Sequence, residues 1–298
     1  MAPRALMDAD PPALYAARMS LEDLTGRRYW RMDGLGNEFV IVDLRGGARP
    51  MTADAARTLG DRSGAFGCDQ VITLEEGRGL PRMGIWNADG SEAGACGNAA
   101  RCVAWLLMEE DGEAATAFAS PSGVLMAERL GPHRIAVDMG EPKLRWDQIP
   151  LAEAHEDTRY VDVKLGPIDK PVLWGPSAVS MGNPHCVFFV EDVATQRLDR
   201  FGPLVEHHPL FPEGVNVSVA QVRSRHDLRV RTWERGVGLT KACGTAACAA
   251  LVSASRRRLT GRKANVELDG GALGIEWREE DGHVIMAGAV RLSGEGTF

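Results

Sequence analysis

No run in this 298-residue chain approaches the ~20 consecutive apolar residues that a membrane-spanning helix needs, so a membrane protein of the helical kind is not expected. A compact apolar segment of the secretory type is missing near the start. Six cysteines in so long a chain without one read as thiols of a reducing compartment, and a cytoplasmic protein is expected. Positive charge is scarce. Lys and Arg number 34 against 41 Asp and Glu, the net charge is −7 and the pI about 5.6. Phosphate recognition wants clustered cations, so no nucleic-acid partner is expected. The short run Arg256-Arg257-Arg258 reads as the solvated end of a helix. There is no C-x₂-C pair, and no metal site is expected. No binding site for pyridoxal phosphate stands out, and the reading is of a protein without a cofactor. What is present is ordinary globular composition, 44% hydrophobic and 25% charged. That supports one large or two moderate domains.

The chain repeats itself. An offset of 147 residues carries Cys96-Gly97-Asn98-Ala99-Ala100 onto Cys243-Gly244-Thr245-Ala246-Ala247, Trp86-Asn87 onto Trp233-Glu234, Gly67 onto Gly214 and Asp69 onto Asn216. An offset of 146 carries Gly36-Asn37 onto Gly182-Asn183, each ahead of an apolar strand that ends in an acid, Asp43 or Glu191. Five matches in one order imply two homologous halves. Short strands (Phe39–Val42, Val71–Leu74, Val187–Val190) alternate with Gly-rich turns, and two helices start near Cys96 and Cys243. The expected fold class is α+β, with two pseudo-symmetric domains of one fold. The expected division is an N-terminal extension over residues 1–29, a first domain over 30–142 with 288–298 returning to it, and a second over 143–287.

Each half sets a Cys-Gly at a helix start, behind a polar, Gly-rich loop. A helix N-terminus offers free N–H groups and partial positive charge. It is therefore expected to lower a cysteine pKa and to bind a carboxylate. Gly97 and Gly244 let a ligand approach the backbone. If the halves face each other across a cleft, Cys96 and Cys243 flank one bound molecule. Two acid–base groups on opposite faces of one carbon suit inversion of a stereocentre: one thiolate takes the Cα proton and the other thiol returns one. Without a cofactor, the carbanion charge must be held by the paired helix ends in a dry cleft. Cys102 and Cys248 lie six and five residues beyond their neighbours. At about 100° per residue they point elsewhere and are read as core. Cys68 and Cys186 are read as packing residues too.

From about Arg31 onward the chain resembles the diaminopimelate epimerase family. The resemblance is carried in order by Met32-Asp33-Gly34-Leu35-Gly36-Asn37-Glu38-Phe39, Gly67-Cys68-Asp69-Gln70, Asn87-Ala88-Asp89-Gly90-Ser91-Glu92 and Cys96-Gly97-Asn98. Then come Met181-Gly182-Asn183-Pro184-His185-Cys186, Phe211-Pro212-Glu213-Gly214-Val215-Asn216, Glu234-Arg235-Gly236 and Cys243-Gly244-Thr245. It implies conversion of LL-2,6-diaminopimelate to the meso isomer, in lysine and cell-wall precursor synthesis. It also implies a barrel-like sheet around a central helix in each half, and a homodimer. By the resemblance Cys96 is the base for the L centre and Cys243 the acid on the other face. Gly97, Asn98, Gly244 and Thr245 hold the reacting carboxylate. Asn37, Gln70, Asn87, Asn183, Asn216, Glu234 and Arg235 bind the rest of the substrate. These residue types suit a zwitterion with two carboxylates and two ammonium groups. Arg grips a carboxylate with two donors, Glu accepts from an ammonium, and amides do both. Glu38 stands in place of Asp, Ala99 and Ala246 in place of Gly, and Leu239 in place of Glu.

Two other readings compete. A proline or hydroxyproline racemase of the same two-cysteine design would handle a compact ring that needs neither Arg235 nor so many amides. A thiol redox sensor would use the same facing cysteines to form a disulfide.

Overall fold

The computed structural model describes residues 21–167 and 169–298. After a short 3₁₀ turn at Leu21–Leu24, the first half contains β1 (Arg28–Asp33), β2 (Glu38–Asp43), α1 (Ala53–Gly60), β3 (Gln70–Glu75) and β4 (Arg82–Asn87). It continues with α2 (Gly97–Asp111), β5 (Ala115–Ser120), β6 (Gly123–Gly131) and β7 (Arg134–Asp138). A small ribbon, β8 (Lys164–Leu165) with β9 (Leu173–Trp174), opens the second half. There follow β10 (Ser177–Ser180), β11 (Pro184–Phe189), α3 (Leu198–Glu206), β12 (Asn216–Ser224), β13 (Asp227–Glu234), β14 (Gly238–Thr240) and α4 (Gly244–Arg256). The chain ends with β15 (Lys263–Leu268), β16 (Gly271–Trp277), β17 (Val284–Ala289) and β18 (Arg291–Thr297).

The two halves use one pairing scheme. In the first, β1–β2 are antiparallel, β2–β3 and β4–β5 parallel, and β5–β6–β7 antiparallel. In the second, β10–β11 are antiparallel, β11–β12 and β13–β15 parallel, and β15–β16–β17 antiparallel. Even the register repeats: Phe39 opposite Gln70 becomes Cys186 opposite Val217. The halves join where β17 lies antiparallel on β7, with Met286 opposite Val137. The last strand, β18, returns to pair with β1. We propose 30–142 with 288–298, and 143–287, as the two domains, on the strength of this repeated pairing.

Each sheet curls around one helix. Helix α2 is buried at every residue from Gly97 to Met108, and α4 from Gly244 to Ala254. A helix with apolar residues on all faces has no solvent side to present, so it must be enclosed. Trp105, Leu106, Leu107 and Met108 therefore pack among Ile41, Ile72, Ile85 and Phe118, while Leu251 and Val252 pack among Val187, Val230, Val266 and Ile275. Cys102 and Cys248 are fully buried in these two cores, and Cys186 and Cys68 in two smaller ones beneath α3 and α1.

Two sequence expectations need correction. Residues 21–29 fall within the expected extension, yet among them Leu24 is buried against α1 and β1 already begins at Arg28. Residues 1–20 lie outside the described residues. The Arg256–Arg258 run is not simply solvated. Arg257 donates to the carbonyls of Arg159 and Gly175 and stacks on Tyr160 and Phe189, 4.0 and 4.9 Å from the ring centroids. Arg256 donates to Thr158 Oγ1 at 3.1 Å. These side chains tie the end of α4 to the segment around Thr158–Tyr160 and to Gly175, while backbone N–H groups of Arg257, Arg258 and Leu259 take the carbonyls of Ser253, Ser255 and Ala254.

Candidate active site

Both central helices begin at the same place. Cys96 is the N-cap of α2 and Cys243 the N-cap of α4, each in extended backbone conformation. Both line one cavity of about 670 Å³, together with Gly97, Asn98, Gly244 and Thr245. That volume falls within the usual range for a small-molecule site.

What brings the helix starts together is the lack of side chains at Gly97 and Gly244. A Cβ on Gly97 would sit 2.5 Å from Met286 Cε, and one on Gly244 2.7 Å from Met286 Sδ. One buried methionine of β17 thus lies against both first turns. Asn98 crosses the gap directly, its Nδ2 donating to the carbonyl of Ala242 at 3.3 Å. The sulfurs find local partners. Cys96 Sγ accepts from Ala99 N–H at 3.5 Å, and Cys243 Sγ lies 3.4 Å from Thr245 Oγ1. All six cysteines are free thiols.

The side walls come from strand ends. Gln70 and Asn87 face each other in register across β3–β4, with Gln70 Nε2 donating to Asn87 Oδ1 at 2.9 Å. Gln70 Oε1 is left buried without a partner. Asn37 precedes β2 and donates from Nδ2 to Asp69 Oδ2 at 3.1 Å. Asp69 also accepts from Glu38 N–H and pairs with Arg62. Burial works against its charge, but these three donors outweigh that and hold the carboxyl below its ordinary value. Asn183 precedes β11 and accepts at Oδ1 from the His185 ring, 3.0 Å away. Gly36 and Gly182, immediately before Asn37 and Asn183, have φ of 75° and 94°. This left-handed conformation is one that glycine adopts without strain, and it is what turns the two asparagines into the cavity.

Asn216 and Arg235 are not among the residues lining the cavity. Asn216 is buried and spends its amide on backbone, accepting from Arg235 N–H at 2.9 Å and donating to the Pro184 carbonyl at 3.1 Å. Arg235 is exposed, its guanidinium held on the Glu213 carbonyl at 2.7 Å. Glu234 does line the cavity and accepts from Thr240 Oγ1. Leu239 lies at the mouth, half exposed, so the position where the family pattern has a carboxylate is apolar here.

The electrostatics differ from the sequence expectation. A helix N-terminus was expected to lower the thiol pKa, yet both thiols are raised. Burial pushes Cys96 up to about 11, with the Glu234 charge adding to it and the Ala99 N–H and Arg101 opposing. Cys243 is raised well above its ordinary value, again by burial first and Glu234 second. Glu234 is itself raised by burial, against hydrogen bonds from Thr240 and the Cys243 thiol. Removing a thiolate from water costs more than one helix turn returns, and a nearby carboxylate adds repulsion. His185 is pushed down to about 3 by burial and by Arg235, so its ring is neutral.

Sequence reasoning passed over three residues at this site. Asp69 orients Asn37, and Met286 spaces the helix starts. Arg101 is fully buried one turn inside α2. Its signal was available: a lone arginine in the apolar run Ala99 to Met108.

Comparison with known proteins agrees with this architecture. The family model described as diaminopimelate epimerase matches residues 29–145 and again 177–293. A diaminopimelate epimerase of Caulobacter vibrioides is 50% identical over 275 residues, covering 89% of this chain and 95% of the relative. One from Methylorubrum extorquens is 48% identical over 289 residues, covering 93% and 97%. Among solved structures, a predicted epimerase from Pseudomonas aeruginosa superposes with a TM-score of 0.65 at 19% identity, covering 91% of this chain and 99% of its own. A hydroxyproline epimerase from Agrobacterium vitis, with bound trans-4-hydroxy-L-proline, gives 0.62 at 14% identity, covering 91% and 90%. These two likenesses establish the fold: two α+β domains, each a curled sheet about a central helix. With the family model matched in both halves and relatives near half identical along most of its length, the chain belongs to the diaminopimelate epimerase family.

Proposed function

We propose that this chain interconverts LL-2,6-diaminopimelate and its meso isomer without a cofactor, with Cys96 and Cys243 as the acid–base pair. The observation that carries the reading is the arrangement of two N-cap cysteines, one from each pseudo-symmetric half, on a single polar cavity.

The reacting carboxylate occupies the space between the first turns of α2 and α4, where free N–H groups of both helices converge. Asn98 and Thr245 border the same space. An ammonium group against Glu234 neutralises the carboxylate that disfavours both thiolates, so substrate entry itself makes a thiolate easier to form. In the LL-to-meso direction the Cys96 thiolate takes the Cα proton; the C–H bond breaks and an S–H bond forms. Cys243 then gives its proton to the opposite face of the same carbon and is left as the thiolate. The reverse turnover starts from that state. The carbanion charge spreads into the carboxylate, where the helix N–H groups meet it.

The distal end falls to Asn37, Gln70, Asn87 and Asn183. Gln70 Oε1, buried without a partner, suits an ammonium group. Asn216 supports the site by fixing the backbone of Arg235. Arg235 reaches the distal carboxylate on leaving the Glu213 carbonyl. So polar a lining favours a second charged end over a proline ring. The reading includes a homodimer, as the resemblance implies, and a cytoplasmic location, on the cysteine usage; sedimentation tests the dimer.

The decisive experiment is turnover of LL-diaminopimelate and of proline in D₂O, followed by chiral chromatography and mass spectrometry. Meso product carrying deuterium at Cα is expected, with no proline turnover. Cys96→Ser and Cys243→Ser are each expected to lose epimerisation by at least about a hundredfold, the scale of one acid–base group. Proline turnover alone, or either serine variant at wild-type rate, overturns the proposal.

A further inference from the structure

Arg101 has no business in a protein core on stability grounds. It is 0% exposed, and no carboxylate pairs with it among the described residues. Burying a cation without a counter-ion is strongly unfavourable. Its location makes matters worse. The side chain folds back along α2 towards the helix start, as long helical side chains do. That end already carries partial positive charge, which repels a cation.

Its contacts are specific. Nη2 donates to Asn98 Oδ1 at 3.0 Å, and Nη1 points to the Gly97 carbonyl at 3.4 Å and to Met286 Sδ at 3.6 Å. Nε has no partner. Gly288 of β17 sits against the guanidinium: a Cβ there would come within 2.9 Å of Nε and 3.1 Å of Cζ, and within 2.5 Å of Leu273 Cδ2. Only glycine leaves room for it there. Because Asn98 Oδ1 is held by Arg101, Asn98 Nδ2 is left to reach Ala242, the residue before Cys243. Arg101, Asn98 and Ala242 therefore form one chain from the core of α2 to the start of α4.

We infer that Arg101 is a positioning residue for the proton-transfer site: it locks Asn98 across the gap between the two cysteines and keeps a fixed positive charge beneath the carboxylate held by the two helix starts. A cation that destabilises the empty protein becomes favourable once a carboxylate, and then its more negative carbanion form, arrives above it. No additional acid is needed in the core because the substrate brings the anion. The inference rests on the two-thiol reading of the site.

The groups facing Arg101 are Cys96 and Cys102 on its own helix, Cys248 on α4 and Asp33 at the end of β1. Those facing Cys96 are Glu234 and Arg101. Of these, Arg101 alone favours the Cys96 thiolate, so its loss has a readout that needs no substrate.

The test compares Arg101→Met, which keeps the bulk without the charge, with Arg101→Lys. Two quantities are measured: kcat and KM for LL-diaminopimelate, and the rate of Cys96 alkylation by iodoacetamide at pH 8 without substrate, followed by peptide mass mapping. Arg101→Met is expected to lower kcat about a hundredfold, the scale of a lost preorganised electrostatic group. KM should change by less than about threefold, since the charge acts on the transition state. Cys96 alkylation should slow about tenfold, because the thiolate loses a favourable charge. Arg101→Lys should recover most of the alkylation rate and part of kcat. Wild-type kcat and alkylation in Arg101→Met would overturn the inference, as would a lysine variant that alkylates as slowly as the methionine one. If the methionine variant does not fold, Arg101→Gln against Arg101→Lys carries the same comparison. A wild-type protein inactive on diaminopimelate removes the functional reading, while the alkylation comparison still decides the role of Arg101.

Discussion

Adding one methyl group at Gly97 tests how closely the two helix starts are held. A Cβ there would lie 2.5 Å from Met286 Cε and 3.5 Å from Met139 Cε. Carbon atoms rest at about 3.5–4.0 Å, so the methionine tip must retreat by more than an ångström. It has nowhere easy to go. Met286 is fully buried, and on its other side it meets the Gly244 position at 2.7 Å. Overpacking of this kind costs about 1–3 kcal/mol. The better helix propensity of Ala returns at most about 1 kcal/mol, and less at a helix end. A net loss of about 1–2 kcal/mol is expected for Gly97→Ala in urea denaturation. Because Met286 is boxed in, part of the clash is relieved by shifting the first turn of α2 with its N–H donors, and kcat should fall about a hundredfold, as for a misplacement near 1 Å. Met286→Ala removes the obstacle at its own cost of about 2–5 kcal/mol. The double variant should then be more stable than the sum of the single losses by at least about 1 kcal/mol, since the clash is gone. If Gly97→Ala changes stability by under about 0.5 kcal/mol and the double variant is additive, Met286 does not set the spacing of the helix starts.

Three further outcomes follow from the same geometry. The thiols are raised on folding, so the stability they lend as neutral groups is complete below about pH 9 and lost as pH rises towards 11. Urea melts should show falling stability in that window, while kcat/KM of the free enzyme rises about tenfold per pH unit below it as thiolate forms; a flat alkaline profile in both refutes the raised thiols. His185 is depressed, which reverses the sign: its contribution is complete above about pH 6.5 and lost as pH falls towards 3. His185→Gln should flatten the loss of stability between pH 6.5 and 4, and an NMR titration midpoint near 6.5 in the wild type would contradict the buried neutral ring. Arg257→Ala removes two carbonyl partners and two ring contacts; a loss of about 1–2 kcal/mol is expected in thermal or urea unfolding without a change in KM, and a neutral effect would return that residue to the solvated surface.

The repeat, the two helices and their cysteine N-caps were legible because each is a local matter. Two copies of Cys-Gly before an apolar run are a pattern that a single chain displays, and a helix with apolar residues on every face can only be enclosed. The asparagines that turn towards the cavity were legible for a similar reason, since Gly36-Asn37 and Gly182-Asn183 carry their turn chemistry with them. Tertiary structure decided what depends on distance between segments far apart in sequence. It placed Met286 between Gly97 and Gly244, returned β18 to β1 and seated Arg257 on Tyr160. It also kept Arg235 on the Glu213 carbonyl and buried Arg101 without an acid. Above all it reversed the expected acidity of the two thiols. A helix end stabilises charge over a single turn and can be read from sequence. The loss of water around a sulfur, and the approach of Glu234 from another strand, exist only once the whole chain has closed around the site.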